Sequence, residues 1–99
     1  MNLFLFPDDA HWSETGNAVE FGIAIGEYFG VVRVRRQVFQ SLLEERPTPE
    51  RCLEAYHLCR SELERAAEAK LRARALSDDG NIDLSLRDLR PSPTRRKPG

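Results

Sequence analysis

The sequence predicts an α+β fold, a small two-layer sandwich with two helices on one face of a mainly antiparallel sheet of about four strands. Three observations lead there. Residues 18–35 hold two runs in which apolar and small or polar residues alternate, separated by Gly26-Glu27. From Thr48 to about Leu76 the apolar residues recur instead at helical spacing. A last short alternation, Ile82, Leu84 and Leu86 against Asp83, Ser85 and Arg87, reads as a strand that closes the order β-β-β-α-α-β.

Asn2 to Phe6, apolar on both faces, is expected as the first strand. Pro7 through Asn17 is expected as a loop of turn formers anchored by Trp12, with Thr15-Gly16-Asn17 turning into the next strand. Val19, Phe21, Ile23 and Ile25 then alternate with Ala18, Glu20, Gly22 and Ala24. Gly26-Glu27 fits a two-residue hairpin loop of type II′, which takes glycine first. Closing the hairpin there sets Ile25 opposite Tyr28, Ile23 opposite Gly30, Phe21 opposite Val32 and Val19 opposite Val34. On the other face Glu20 meets Arg33 and Ala24 meets Phe29. A slip of one residue would turn one apolar set to water, so the register is fixed.

A helix is expected from Arg35 or Arg36 to about Glu45, with Val38, Phe39, Leu42 and Leu43 as its apolar arc. The prolines of Arg46-Pro47-Thr48-Pro49 end it, since each disfavours helix in the residue before it. Thr48-Pro49-Glu50 then starts the long helix: a capping hydroxyl, proline at the first helical position, and an acid at the positive end of the dipole. Cys52, Tyr56, Cys59, Leu63, Ala66 and Ala67 share one face, and Glu54, His57, Ser61, Glu64, Glu68 and Arg72 the other. Lys70 and Arg74 fall on the inner face, so fraying is expected there. Ser77-Asp78-Asp79-Gly80-Asn81 is a turn cluster. Residues 1–89 form one domain in this reading, and 90–99, with nothing to bury, form a disordered basic tail.

These residues resemble a family of short bacterial proteins, domain of unknown function 1488. The likeness runs from Phe6-Pro7, the acidic turn and Trp12 through Val19-x-Phe21 and the Gly26 hairpin. It continues with the Val34-to-Leu42 strand-to-helix passage, Asp79-Gly80-Asn81-Ile82-x-Leu84 and Asp88-Leu89, covering roughly residues 3–89. The resemblance implies a compact bacterial domain and carries no catalytic residues to transfer.

A formal net charge of −1 gives no overall pull toward nucleic acid or acidic membranes. The charge is nonetheless uneven. Residues 1–30 carry Asp8, Asp9, Glu14, Glu20 and Glu27 and no lysine or arginine, while residues 90–99 carry Arg90, Arg95, Arg96 and Lys97 and no acid. The apolar start Leu3–Phe6 is too short for a secretory signal and lacks a basic leader. No apolar run reaches the ~20 residues of a membrane helix. Cys52 and Cys59, about 10 Å apart along a helix at ~1.5 Å per residue, are too far apart to bridge. They read as reduced core thiols of a cytoplasmic protein.

Three groups invite chemistry. Asp8, Asp9, His11 and Glu14 around Trp12 could hold a metal or transfer protons, but lack a known ligand spacing. Cys52, His57 and Cys59 have the wrong spacing for zinc, and His57 lies about 140° round the helix from Cys52. Arg33, Arg35 and Arg36, with Arg95, Arg96 and Lys97 of the tail, could contact phosphates. No helix-turn-helix, zinc-finger, glycine-rich phosphate loop or nucleophile-elbow signature is present. The sequence therefore favours a non-enzymatic protein-binding or regulatory module without cofactor or metal. Nucleic-acid binding through the arginines stands second, and a metal-dependent activity at the Asp8–Glu14 loop third.

Overall fold

A hairpin holds the centre of the sheet. A computed structural model describes residues 4–43 and 46–89. In it Ala18–Ile25 (β2) and Tyr28–Arg35 (β3) pair antiparallel in the expected register. Gly26 takes φ 58° while Glu27 keeps a negative φ, the pattern of a type II′ turn, in which only the first central residue is left-handed. Gly30 is needed for a different reason. The Tyr28 ring folds back over it, so a Cβ there would collide with that ring, and the Tyr28 hydroxyl donates to Gly80 O at 2.8 Å.

The first strand is not where the sequence suggested. Asn2 and Leu3 lie outside the described residues, and Leu5 makes an isolated bridge to Ala24 with hydrogen bonds of 2.8 and 2.9 Å. His11–Ser13 (β1), inside the expected loop, is the strand that pairs with β2, with Trp12 opposite Val19. Between bridge and strand the ladder fails, because Pro7 has no N–H to give and Asp8 turns to φ 49°. The Asp9 carboxylate stands in for the missing backbone partner, accepting the Gly22 N–H at 2.8 Å.

The closing strand, Ile82–Leu84 (β4), pairs parallel to β3, giving a mixed sheet of order β1-β2-β3-β4. Leu86 leaves the expected strand and opens a short helix, Leu86–Leu89 (α4). The cause is local: the Asp88 carboxylate accepts from the Ser85 N–H at 2.7 Å and from its hydroxyl at 3.0 Å, half of a capping box.

Arg36–Leu42 (α1) buries Val38 and Phe39, but Leu42 is left 43% exposed. Its chain turns extended at Leu43; the expected end at Glu45 lies outside the described residues. The expected single helix from Thr48 is two, Pro49–Leu58 (α2) and Arg60–Arg72 (α3). Its start is as expected, with Thr48 Oγ1 accepting the Arg51 N–H at 3.2 Å. At Cys59 the backbone moves to φ −108°, ψ 19°. Hydrogen bonding continues through the bend, Cys59 N–H to Ala55 O at 2.9 Å and Leu63 N–H to Cys59 O at 3.0 Å. The bend lets α2 lie on β1 and β2 while α3 covers β4, which one straight rod could not do over a twisted sheet.

The end of α3 also differs from expectation. Lys70 does not fray: its Nζ donates to Asp83 O at 3.1 Å and to Asp88 Oδ2 at 3.2 Å. Arg74 supplies a left-handed residue at φ 57°, with Ala75 N–H bonded to Lys70 O at 2.9 Å and Arg74 N–H to Leu71 O at 3.0 Å. That is a Schellman stop with arginine in the position glycine usually fills.

The core lies between the helices and the face of the sheet bearing Val19, Phe21, Ile23, Val32 and Val34. Phe21 packs between Tyr56 and Phe6, its ring centroid 5.1 and 6.2 Å from theirs. Among the described residues no helix is long and apolar enough to cross a membrane.

Candidate functional site

The three neighbouring arginines do not form one surface. Arg33 faces Glu20 across the strands, yet its guanidinium turns the other way. Its Nε donates to Asp83 Oδ1 at 2.8 Å and its Nη1 to Asp79 Oδ2 at 2.9 Å, and Nη2 reaches both carboxylates at 3.2 Å. Two forked carboxylates outbid one. Glu20 lies instead 3.6 Å from His11 Nε2. Hydrogen bonds from Arg33, then from the Asn81 N–H, hold the Asp79 carboxyl at about 2. Burial pushes the Asp83 carboxyl up, but the bonds from Arg33 and Ser77 outweigh it and leave it below the usual range. Asn81 Oδ1 accepts the Val31 N–H at 3.0 Å, and Ser77 Oγ donates to Asp83 at 2.6 Å. The segment from Asp79 to Asp83 is thus a clasp that fixes the closing strand to β3, with Arg33 as its bolt.

Arg35 remains 48% exposed, with Nη2 3.4 Å from Asp83 Oδ1. Arg36 begins α1, and its Nε donates to Pro47 O at 3.0 Å. Arg95, Arg96 and Lys97 lie outside the described residues.

The acidic loop is engaged in structure. Asp9 holds Gly22, Asp8 accepts from Arg60 Nη1 at 3.2 Å, and His11 Nδ1 lies 3.1 Å from Asp9 O. Among the described residues no group of three or more His, Cys, Asp or Glu is placed to hold a metal ion. Cys52 is buried with Sγ 3.7 Å from Pro47 O, Cys59 is half-buried at the bend, and both are free thiols. Burial raises both above the usual thiol value, helped at Cys59 by Glu62. His57 is exposed, its ring 5.0 Å from that of Tyr56.

Two surfaces emerge that the sequence reading did not single out. On the face of the sheet away from the core, Leu5, Ala24 and Phe29 stand side by side across three segments of chain. Leu5 is 61% and Phe29 65% exposed. The second is a cleft of about 580 Å³ at the opposite end of β3, lined by Asn17, Arg36, Gln37, Gln40, Leu43, Arg46 and Pro47. A sequence signal for it exists: Arg36, Gln37 and Gln40 lie on the polar side of a helix that carries no acid from Arg36 to Leu43. On the helix side Leu58, at the bend, is 84% exposed.

Comparison with known proteins places this architecture. The sequence profile described as protein of unknown function (DUF1488) matches residues 4–84. A protein of unknown function of the same family from Shewanella loihica PV-4, whose crystal structure was determined at 1.60 Å, is similar in fold. The TM-score is 0.76 at 19% identity, covering 83% of this chain and 91% of that one. No curated protein matches the chain in sequence.

Proposed function

The chain belongs to the DUF1488 family, and from the surfaces it presents we propose that it is a non-enzymatic module that binds a protein through the open face of its sheet. One observation carries this reading: Leu5, Ala24 and Phe29 form a contiguous apolar row, with Leu5 and Phe29 well over half exposed, on the face that the helices leave bare. Large apolar side chains gathered in one exposed place mark contact surfaces more often than single ones do. A non-enzymatic role is supported by the acids of the Asp8–Glu14 loop, of which Asp8 and Asp9 are already bound to Arg60 and to the Gly22 N–H. Two free thiols suit a reducing bacterial cytoplasm. Nucleic-acid contact through Arg33, Arg35 and Arg36 has less support, because Arg33 is closed off by two carboxylates.

The test is capture from native lysate with wild type, Phe29→Ser, Leu5→Ser and Leu58→Ser as bait, with and without nuclease. A protein retained by wild type and Leu58→Ser but lost with Phe29→Ser and Leu5→Ser, in both nuclease arms, is the expected result. Retention indifferent to Phe29 and Leu5, or lost on nuclease treatment, would overturn the reading.

A further inference from the structure

We infer that Asp79–Gly80 is a latent modification site, at which the chain rearranges to isoaspartate unless Arg33 holds the Asp79 carboxylate. This goes beyond the protein-docking reading and does not depend on it, since Arg33 and Asp79 take no part in the Leu5–Phe29 row.

Asp79 is the one Asp or Asn of the chain that precedes a glycine. The rearrangement begins when the backbone nitrogen of the next residue attacks the side-chain carboxyl carbon. Glycine hinders that nitrogen least, because it has no Cβ. The Gly80 nitrogen bonds to Asp79 Cγ and gives up its proton, the carboxyl hydroxyl leaves as water, and a five-membered succinimide closes. Water then adds at one of the two ring carbonyls. Addition at Cγ restores aspartate; addition at the main-chain carbon gives isoaspartate, with the backbone rerouted through Cβ and Cγ. Nothing is oxidised or reduced, and the mass is unchanged.

The native clasp withholds both reactants. The Gly80 N–H donates to Ser77 O at 2.9 Å. Asp79 Oδ2 accepts from Arg33 Nη1 at 2.9 Å, and Oδ1 accepts from Arg33 Nη2 at 3.2 Å and from the Asn81 N–H at 3.1 Å. Arg33 first, then Asn81, keeps the carboxyl ionised down to about 2, and an ionised carboxylate has no hydroxyl to lose as water. The Asp79 side chain is 50% exposed, so water reaches the site whenever the clasp lets go. The product undoes the clasp. Its carboxylate sits directly on Cα, one carbon nearer the main chain, and the backbone gains a methylene. Arg33 is then left with Asp83, and the closing strand is tied less firmly to β3.

The experiment incubates the full chain near neutral pH and, beside it, the free peptide Ser77–Asp83. Mass spectrometry with electron-transfer fragmentation, which tells isoaspartate from aspartate, follows Asp79 over time. The folded chain should rearrange at least ~tenfold more slowly than the peptide, because attack waits for a local opening. Arg33→Gln should recover most of that difference. Asp83→Asn loosens the same strand but leaves Arg33 on Asp79, and should recover a smaller part. In the isolated isoaspartate form the amides of Ile82–Leu84 should exchange faster, with those of Phe21–Ile23 unchanged. Rearrangement of wild type at the rate of the peptide would overturn the inference, and that comparison holds even if Arg33→Gln does not fold. A wild-type rate in Arg33→Gln, or equal acceleration by Asp83→Asn, would also overturn it, since the Arg33 bond would not be what guards the site. Unchanged exchange at Ile82–Leu84 would overturn the claim that the product undoes the clasp.

Discussion

Phe21 and Phe29 lie on the two arms of one hairpin and on opposite faces of the sheet, so one substitution made at each position tests the assignment of faces. Phe21 is 2% exposed and has Tyr56 and Phe6 against its ring at 5.1 and 6.2 Å between centroids. Truncation to alanine there loses the transfer energy of a buried ring and leaves a cavity, about 3–5 kcal/mol together. Phe29 is 65% exposed and has Ala24 directly opposite. Its truncation loses only part of a cross-strand contact, about 1 kcal/mol or less. A domain of this size moves its melting temperature by about 4–8 °C per kcal/mol. Phe21→Ala should therefore lower Tm by at least ~12 °C, and Phe29→Ala by less than ~8 °C. Thermal melts followed by circular dichroism decide it. Equal losses would mean that Phe29 is buried in solution, and the apolar row would cease to be a free surface.

Acid should loosen the clasp around Arg33. Asp79, held at about 2, and Asp83, also lowered, stay ionised in the native state after their unfolded counterparts protonate near ~3.9. Their stabilisation is present above that value and is lost as pH falls toward about 2. Asp79→Asn should flatten the fall of Tm in this window, and an unchanged slope would remove Asp79 from the account. Arg74→Gly should raise stability by about 0.5–1 kcal/mol, since relief of a left-handed arginine exceeds the entropy that glycine adds to the unfolded chain. A lower Tm for that variant would show that the Arg74 side chain contributes more than its backbone costs. Cys59, half-buried, should be alkylated before the fully buried Cys52, and both far faster in denaturant. Reaction at Cys52 first would mean that α2 has its buried face wrong.

What could be read from the residues follows from how many local signals agreed. The β2–β3 hairpin has alternation on both arms and a glycine at the one position needing positive φ, so strand, turn and register came together. β1 is three residues long with Trp12 as its one large apolar side chain, too little for periodicity to register. The bend at Cys59 has no proline or glycine to mark it; the sheet imposes it from outside. Alternation in Ile82-Asp83-Leu84 reads the same in either direction, so a parallel partner left no trace. The partner of Arg33 was misassigned because a Cα register fixes where a long side chain begins, not which way it reaches. The cleft beside Arg36 escaped because its lining is drawn from residues 17 to 47, a distance no short motif spans.

The parallel pairing of β3 with β4 carries a consequence for the order of events in folding. β2 and β3 need only Gly26 and Glu27 between them to meet, whereas β3 and β4 wait for everything from Arg36 to Asn81 to be placed. Contacts that close so long a loop form late, because the closure entropy comes before their reward. The edge strand and its clasp should then be absent from the transition state. Asp83→Asn should speed unfolding and barely change the folding rate, while Phe21→Ala, within the early hairpin, should slow folding. Stopped-flow chevrons separate the two, and a folding limb shifted by Asp83→Asn would contradict this order. By the same logic the amides of Ile82–Leu84 should exchange with solvent well before those of Phe21–Ile23, so the molecule opens first along its β4 edge.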